Sequence, residues 1–117
     1  MTDMEREGWM KSGRTARGFM LKEFTDFYGH ECSIQKSSLA GIDCIWFGID
    51  DPNPQIMARD AVRLGLKPVE GGEKDNGWVP FAIPEEVSIN TRMHLTRGQV
   101  AKLLPSLIRF VITGRLK

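Results

Sequence analysis

The hydrophobic rhythm of this chain changes at one point, between Leu95 and Thr96, and that change limits what the chain can fold into. From Val87 to Leu95 the alternation is strict. Val87, Ile89, Thr91, Met93 and Leu95 fall on one side, and Ser88, Asn90, Arg92 and His94 on the other. Period two over such a run predicts a half-buried strand. Beyond the junction, Val100, Leu103, Leu104, Leu107 and Val111 recur at three and four, which places one apolar stripe along a helix. Thr96 followed three residues later by Gln99 forms a capping box, in which hydroxyl and amide side chains satisfy each other's backbone N–H groups. Gly114 suits the left-handed residue that closes a helix. Pro105 lies inside this helix but off the stripe, and is predicted to bend it. A strand feeding a helix with a single apolar stripe predicts a helix folded back onto a sheet.

Size and charge narrow the class. The 117 residues suffice for one domain and not two. A net charge of +1 excludes both the strongly basic footprint of a typical duplex binder and an acidic DNA mimic. No stretch reaches the 18 or so apolar residues that a membrane span needs, and the N-terminus lacks the apolar segment of a signal peptide. A cytoplasmic protein without membrane attachment is the expectation.

Along the chain, residues 1–18 read as a charged, flexible leader with Trp9 as its one aromatic anchor. Residues 19–117 read as a single α+β domain. Leu21–Tyr28 and Cys32–Ser38 form a predicted hairpin turning at Gly29 and His30. In its second arm Cys32, Ile34 and Lys36 oppose Ser33, Gln35 and Ser37. Ile42–Ile49, with Trp46 assigned to the core, is nearly continuous in apolar residues and fits a third strand covered on both faces. Asn53 as N-cap and Pro54 at the first helical position predict a short helix over Gln55–Leu64, ending at Gly65. Lys67–Gly77 is a glycine-containing charged loop. Trp78–Pro84 carries prolines at 80 and 84 and is predicted to be extended but away from a sheet interior, with Trp78 partly exposed. The fold class is therefore α+β: a small, mostly antiparallel sheet of three or four strands. One long C-terminal helix packs on it, and a short helix follows the third strand.

Candidate chemistry concentrates on the last strand. Asn90, Arg92 and His94 share its polar side, with Ser33, Gln35 and Ser37 expected on the same sheet face. Arg92 suits a carboxylate or phosphate, and Asn90 and Gln35 offer directed hydrogen bonds. Trp78 is the aromatic most suited to a partner site. The candidate binding residues are thus Gln35, Trp78, Asn90, Arg92 and His94. A plain solvated face explains the same polar stripe. His30, Cys32, Cys44 and His94 are potential zinc ligands whose spacing matches no compact ligand pair, so no metal is expected. Cys32 and Cys44 fall in neighbouring predicted strands, which leaves a bridge open, although free buried thiols are the default. No nucleophile elbow frames a serine, Gly71 and Gly72 form no phosphate loop, and neither a catalytic residue nor a cofactor is assigned.

Three runs carry a family likeness: Cys-Ser-Ile-Gln-Lys-Ser-Ser at 32–38, Ile-Trp-Phe-Gly-Ile-Asp-Asp at 45–51, and Arg-Met-His-Leu-Thr-Arg-Gly-Gln-Val at 92–100. With Gly-Trp-Val-Pro at 77–80 and the terminal Thr-Gly-Arg-Leu, the chain resembles a family of small, largely uncharacterised proteins encoded by bacteria and their phages. Gly98 and Arg115 depart from that pattern. The resemblance brings no catalytic residues. It implies a phage or mobile-element setting in the host bacterial cytosol, and a non-enzymatic inhibitor of a host defence complex of the anti-CRISPR type. Its expected partner is a host protein or ribonucleoprotein complex, bound stoichiometrically. The alternatives are a nucleic-acid or nucleotide-binding module using Arg92, His94 and the leader's basic residues Lys11, Arg14 and Arg17 and, more weakly, a small hydrolase.

Overall fold

The computed structural model describes residues 8–66 and 77–117. The chain groups into two compact units, Met1–Asp51 with Thr91–Lys117, and Pro52–Asn90. The glycine loop at 67–76 lies outside the described residues, as do 1–7 of the leader.

The first unit is a five-stranded antiparallel sheet followed by a helix. Its strands are β1 (Lys11–Arg14), β2 (Met20–Thr25), β3 (Glu31–Lys36), β4 (Cys44–Ile49) and β7 (Arg92–Thr96), in the spatial order β1-β2-β3-β4-β7. The first four run as a meander, and β7 returns to close the β4 edge antiparallel. One more strand is present than expected, because part of the supposed flexible leader forms β1. Trp9 docks beside it. The indole packs 4.9 Å from the Phe24 ring and donates to the Thr25 carbonyl at 2.9 Å. An aromatic ring with a satisfied N–H is enough to fix a charged segment that composition alone assigns to solvent.

The period-two pattern of β3 holds. Cross-strand partners point to the same face, so the register sorts side chains into two sets. Ile34, Phe47 and Met93 form one row, and Ile45 pairs with Leu95 beside it, which makes an apolar face. Gln35, Trp46 and His94 form a row of the other, polar face. Trp46 is thus a half-buried member of the polar face, not the core residue its neighbours in sequence suggest.

The β2–β3 turn is built on Asp26. Its Oδ1 accepts from the Tyr28 and His30 amides, at 2.9 Å each, and Gly29 takes φ 88°. An aspartate bonding its own backbone ahead of a left-handed glycine is a stable turn. Tyr28 accordingly belongs to the turn and not to the strand.

The last strand is shorter than its alternation. β7 begins at Arg92, and the residues from Val87 to Thr91 form no strand. Helix α2 spans Arg97–Thr113 and its ends match their signals. Thr96 Oγ1 accepts from the Gln99 amide at 3.2 Å, and Gln99 Oε1 accepts from the Thr96 amide at 3.0 Å. Gly114 adopts φ 75°, and its N–H donates to the Phe110 carbonyl at 2.8 Å.

The helix does not lie across the sheet. Val100 is half-buried, but Leu103, Leu104 and Leu107 are 43%, 46% and 49% exposed, and Val111 is 82% exposed. The cause is connectivity. β7 ends on Thr96 and α2 begins on Arg97, so the chain has no turn in which to reverse direction. Only the first turns of α2 reach the sheet, where Val100, Ala101 and Leu104 face Ile45 and Leu95.

The second unit pairs β5 (Gln55–Met57) with β6 (Trp78–Pro80) antiparallel, and α1 (Ala58–Arg63) follows β5 directly. The short helix predicted from Gln55 thus starts three residues later. Asn53 takes φ 46° and Met57 is the N-cap, without a side-chain bond. A residue in the left-handed region ends any continuous helix there, and the freed residues pair with Trp78–Pro80 instead. Ala58, Ala61 and Val79 are buried, while Trp78 is 66% exposed, as expected.

Candidate functional site

The polar face of the first unit gathers the chemistry-bearing residues. The ladder brings Gln35 of β3 opposite Trp46 of β4, and Trp46 opposite His94 of β7. Trp46 and His94 then stack, with ring centroids 4.0 Å apart and planes 18° from parallel. One row away, Ser33, Gly48 and Arg92 are in register. Gly48 has a specific function there. It takes φ 154°, and a Cβ would stand 2.6 Å from the Thr91 carbonyl oxygen and 2.9 Å from the Arg92 Cα. Only glycine lets β7 approach this closely. The Arg92 side chain turns toward Trp46, its guanidinium carbon 5.6 Å from the ring centroid, and Nη1 donates to Gln35 Oε1 at 3.0 Å.

Two serines anchor the periphery. Ser37 Oγ lies 2.9 Å from His94 Nε2 and accepts from the Leu39 amide at 3.1 Å. Ser33 donates to Asp50 Oδ1 at 2.5 Å. Both serines are almost fully buried, and their hydrogen bonds offset the cost of removing hydroxyls from water.

Three of the five predicted binding residues, Gln35, Arg92 and His94, are therefore brought together, across 57 residues of sequence in the Arg92–Gln35 bond. The other two belong to the second unit. Trp78 sits on β6, and Asn90 precedes β7, outside the strand ladder, so alternation does not carry it onto the sheet face.

Sequence reasoning missed one participant and, apart from the cluster, an exposed aromatic pair. Trp46 is central to the cluster, and period two shows which parity it shares, but a run of apolar neighbours hides that signal. Phe27 and Tyr28, at the β2–β3 turn, are 95% and 81% exposed with their rings edge-on at 5.3 Å. Asp26 followed three residues later by Gly29 is the turn signature that exposes them.

The cluster is suited to recognition. Arg92 is held in orientation by an amide and an aromatic neighbour, and Gln35 takes one of its five N–H donors. A guanidinium held this way suits a carboxylate or phosphate on a partner. The Ser37–His94 contact has the pairing that nucleophilic catalysis uses. However, Ser37 is 4% exposed, and among the described residues no carboxylate bonds to His94.

The cysteines are both free and buried. Cys32 pairs with Ile49 and Cys44 with Thr96, on opposite faces of the sheet, so the bridge left open by the sequence is excluded by the pleat. The same geometry separates Cys32 from Cys44 and His94 as zinc ligands. Among the described residues no group of three His, Cys, Asp or Glu side chains is placed to hold a metal. Burial pushes the Cys32 thiol above its ordinary value, and the Asp26 and Asp50 carboxylates push it the same way. No described helix is long and apolar enough to cross a membrane. No family model, curated protein or solved structure matches the chain.

Proposed function

We propose that the protein is a non-enzymatic binding protein, an inhibitor of the kind phages and mobile elements direct at a host defence complex in the bacterial cytosol. It acts by stoichiometric occlusion. The observation that carries this reading is the Arg92–Trp46–His94 cluster with Gln35 on one sheet face. Arginine and tryptophan are the residue types that most often dominate binding energy at protein interfaces. Here they are fixed before a partner arrives, which removes ordering cost on binding. The likeness of the 32–38, 45–51 and 92–100 runs to phage-encoded proteins supplies the partner class, a host protein or ribonucleoprotein complex presenting acidic groups. Gln35, Trp46, Arg92 and His94 fall within those runs.

Affinity purification from host lysate at near-physiological salt tests the reading. The expected result is a one-to-one complex that Arg92→Ala weakens about tenfold or more. Absence of any stable partner, or a complex indifferent to Arg92→Ala, refutes it. A nucleic-acid or nucleotide-binding module is the second reading. It is favoured by the stacked Trp46–His94 rings, since aromatic and arginine planes are what unstacked bases bind. Binding of single-stranded oligonucleotides that falls steeply with salt distinguishes it.

A further inference from the structure

We propose that α2 is the self-association surface of this protein, and that a second copy of the chain covers it. At 100° per residue, α2 divides cleanly. Beyond the first turn, which carries Arg97, the side chains of Leu103, Leu104, Leu107, Ile108, Phe110 and Val111 lie within an apolar arc of about 160°. Lys102 and Arg109, the charged residues after Arg97, lie together on the opposite arc. All six apolar side chains are more than two-fifths exposed. The arc is continuous with the apolar sheet face. Val100, Ala101 and Leu104 form one wall of a groove of about 510 Å³, and Ile45 and Leu95 form another. Met20 and Met93, on the same sheet face, are 61% and 54% exposed.

Area decides what this surface is for. Together these helix and sheet side chains present roughly 900 Å² of surface to water, well above the 300–600 Å² of the largest patch on a typical monomer. It matches the roughly 800 Å² per partner that a standard-sized interface buries. The chain itself supplies both halves of such an interface, an amphipathic helix and an uncovered apolar sheet face beside it. An isologous pair about a two-fold axis buries both at once, the helix of each protomer entering the other's groove. The charges favour this arrangement too, because Lys102 and Arg109 point away from the arc and are not brought together at its centre. A membrane-surface helix is a poorer fit, since its polar face is normally rich in cations and this one carries two.

The proposal stands apart from the reading of the polar face, which lies on the other side of the sheet. Sedimentation velocity on the full chain tests it. A species of twice the 13.2 kDa chain mass is expected at micromolar concentration. Val111→Asp is expected to weaken the dimer by about 30-fold or more while leaving the circular dichroism spectrum unchanged, because Val111 touches little within its own chain. Lys102→Glu, on the polar arc, is the control and leaves association intact. Leu107→Cys provides a second readout. Both native thiols are buried, so oxidation of this variant is expected to give a covalent dimer, which denaturing gels detect. A monomer at about 100 μM overturns the proposal, as does a dimer equally tight in Val111→Asp. Recruitment of a monomeric chain to vesicles of anionic phospholipid also overturns it, and assigns the arc to a lipid surface.

Discussion

The polar face of the sheet and helix α2 are neighbours in the first unit, yet they are held in place by opposite means. On the sheet face almost every contact is long-range. Arg92 reaches Gln35 and His94 reaches Ser37, each across 57 residues. In α2 the contacts that define the element are local: Thr96 with Gln99 at one end, Gly114 with Phe110 at the other. Caps fix where a helix starts and stops. They carry no instruction about what it lies against, which depends on the connection and on partners. This chain therefore has a sharply bounded helix with an unsatisfied apolar side, beside a sheet whose polar side is cross-linked between distant strands.

The largest expected effect lies where the sheet depends on close backbone approach. Gly48→Val adds a side chain where even a Cβ would meet the Thr91 carbonyl oxygen at 2.6 Å. Neither atom can yield without moving β7 from β4. A loss of about 3 kcal/mol or more in urea unfolding is expected, with the Trp46 environment disturbed. A loss under about 1 kcal/mol would mean that β7 is easily displaced and that the polar face is no more fixed than α2.

A pair of truncations then sets the two regions directly against each other. Phe47→Ala removes a half-buried ring from the apolar sheet face, where it meets Phe24 edge-on at 6.3 Å. It is expected to cost about 2–3 kcal/mol. Leu107→Ala, measured at a concentration where the chain is monomeric, is expected to cost under about 1 kcal/mol, because the side chain is already half exposed. Equal costs would show that α2 folds back onto its own sheet in solution.

How much of this is legible in the sequence follows the same division. The α+β class, the antiparallel β3, both ends of α2 and the shared side of Arg92 and His94 follow from period and cap chemistry, because those signals act within a few residues; that Gln35 joins them depends on strand order. The misplacements share one cause. Val87–Thr91 alternates like a strand but finds no partner strand. Gln55–Met57 has the caps of a helix start but pairs with Trp78–Pro80 instead. Lys11–Arg14 looks like solvated tail but gains the β2 edge once Trp9 docks on Phe24. Each outcome was set by a pairing between distant segments, which a local pattern cannot express. The direction in which α2 leaves the sheet is of the same kind. Periodicity finds the stripe, and only the missing linker between Thr96 and Arg97 shows that the stripe beyond Leu104 leaves the sheet.

Caps give a smaller effect. Thr96→Ala removes the hydroxyl that accepts from the Gln99 amide and is expected to cost about 1 kcal/mol. If local signals alone hold α2, the loss should appear mainly as faster amide exchange in the first turn of the helix, leaving exchange in β3 and β4 unchanged.

The smallest effect comes from titration of Cys32, and its sign can be worked out. The folded chain holds this thiol protonated more firmly than its ordinary value of 9.0, through burial and then the Asp26 and Asp50 carboxylates. Above that pH the unfolded chain releases the proton first, so it binds fewer protons than the folded chain, and stability falls as pH rises. The contribution is therefore whole below about pH 9 and declines above it. Cys32→Ala should flatten the alkaline limb of the stability curve. Cys44→Ala should leave the part due to Cys32 in place. In the native protein the same protonation makes Cys32 slow to alkylate at neutral pH, since the thiolate is the reactive form. Rapid modification of Cys32 in the folded chain would mean that β3 opens on the labelling timescale.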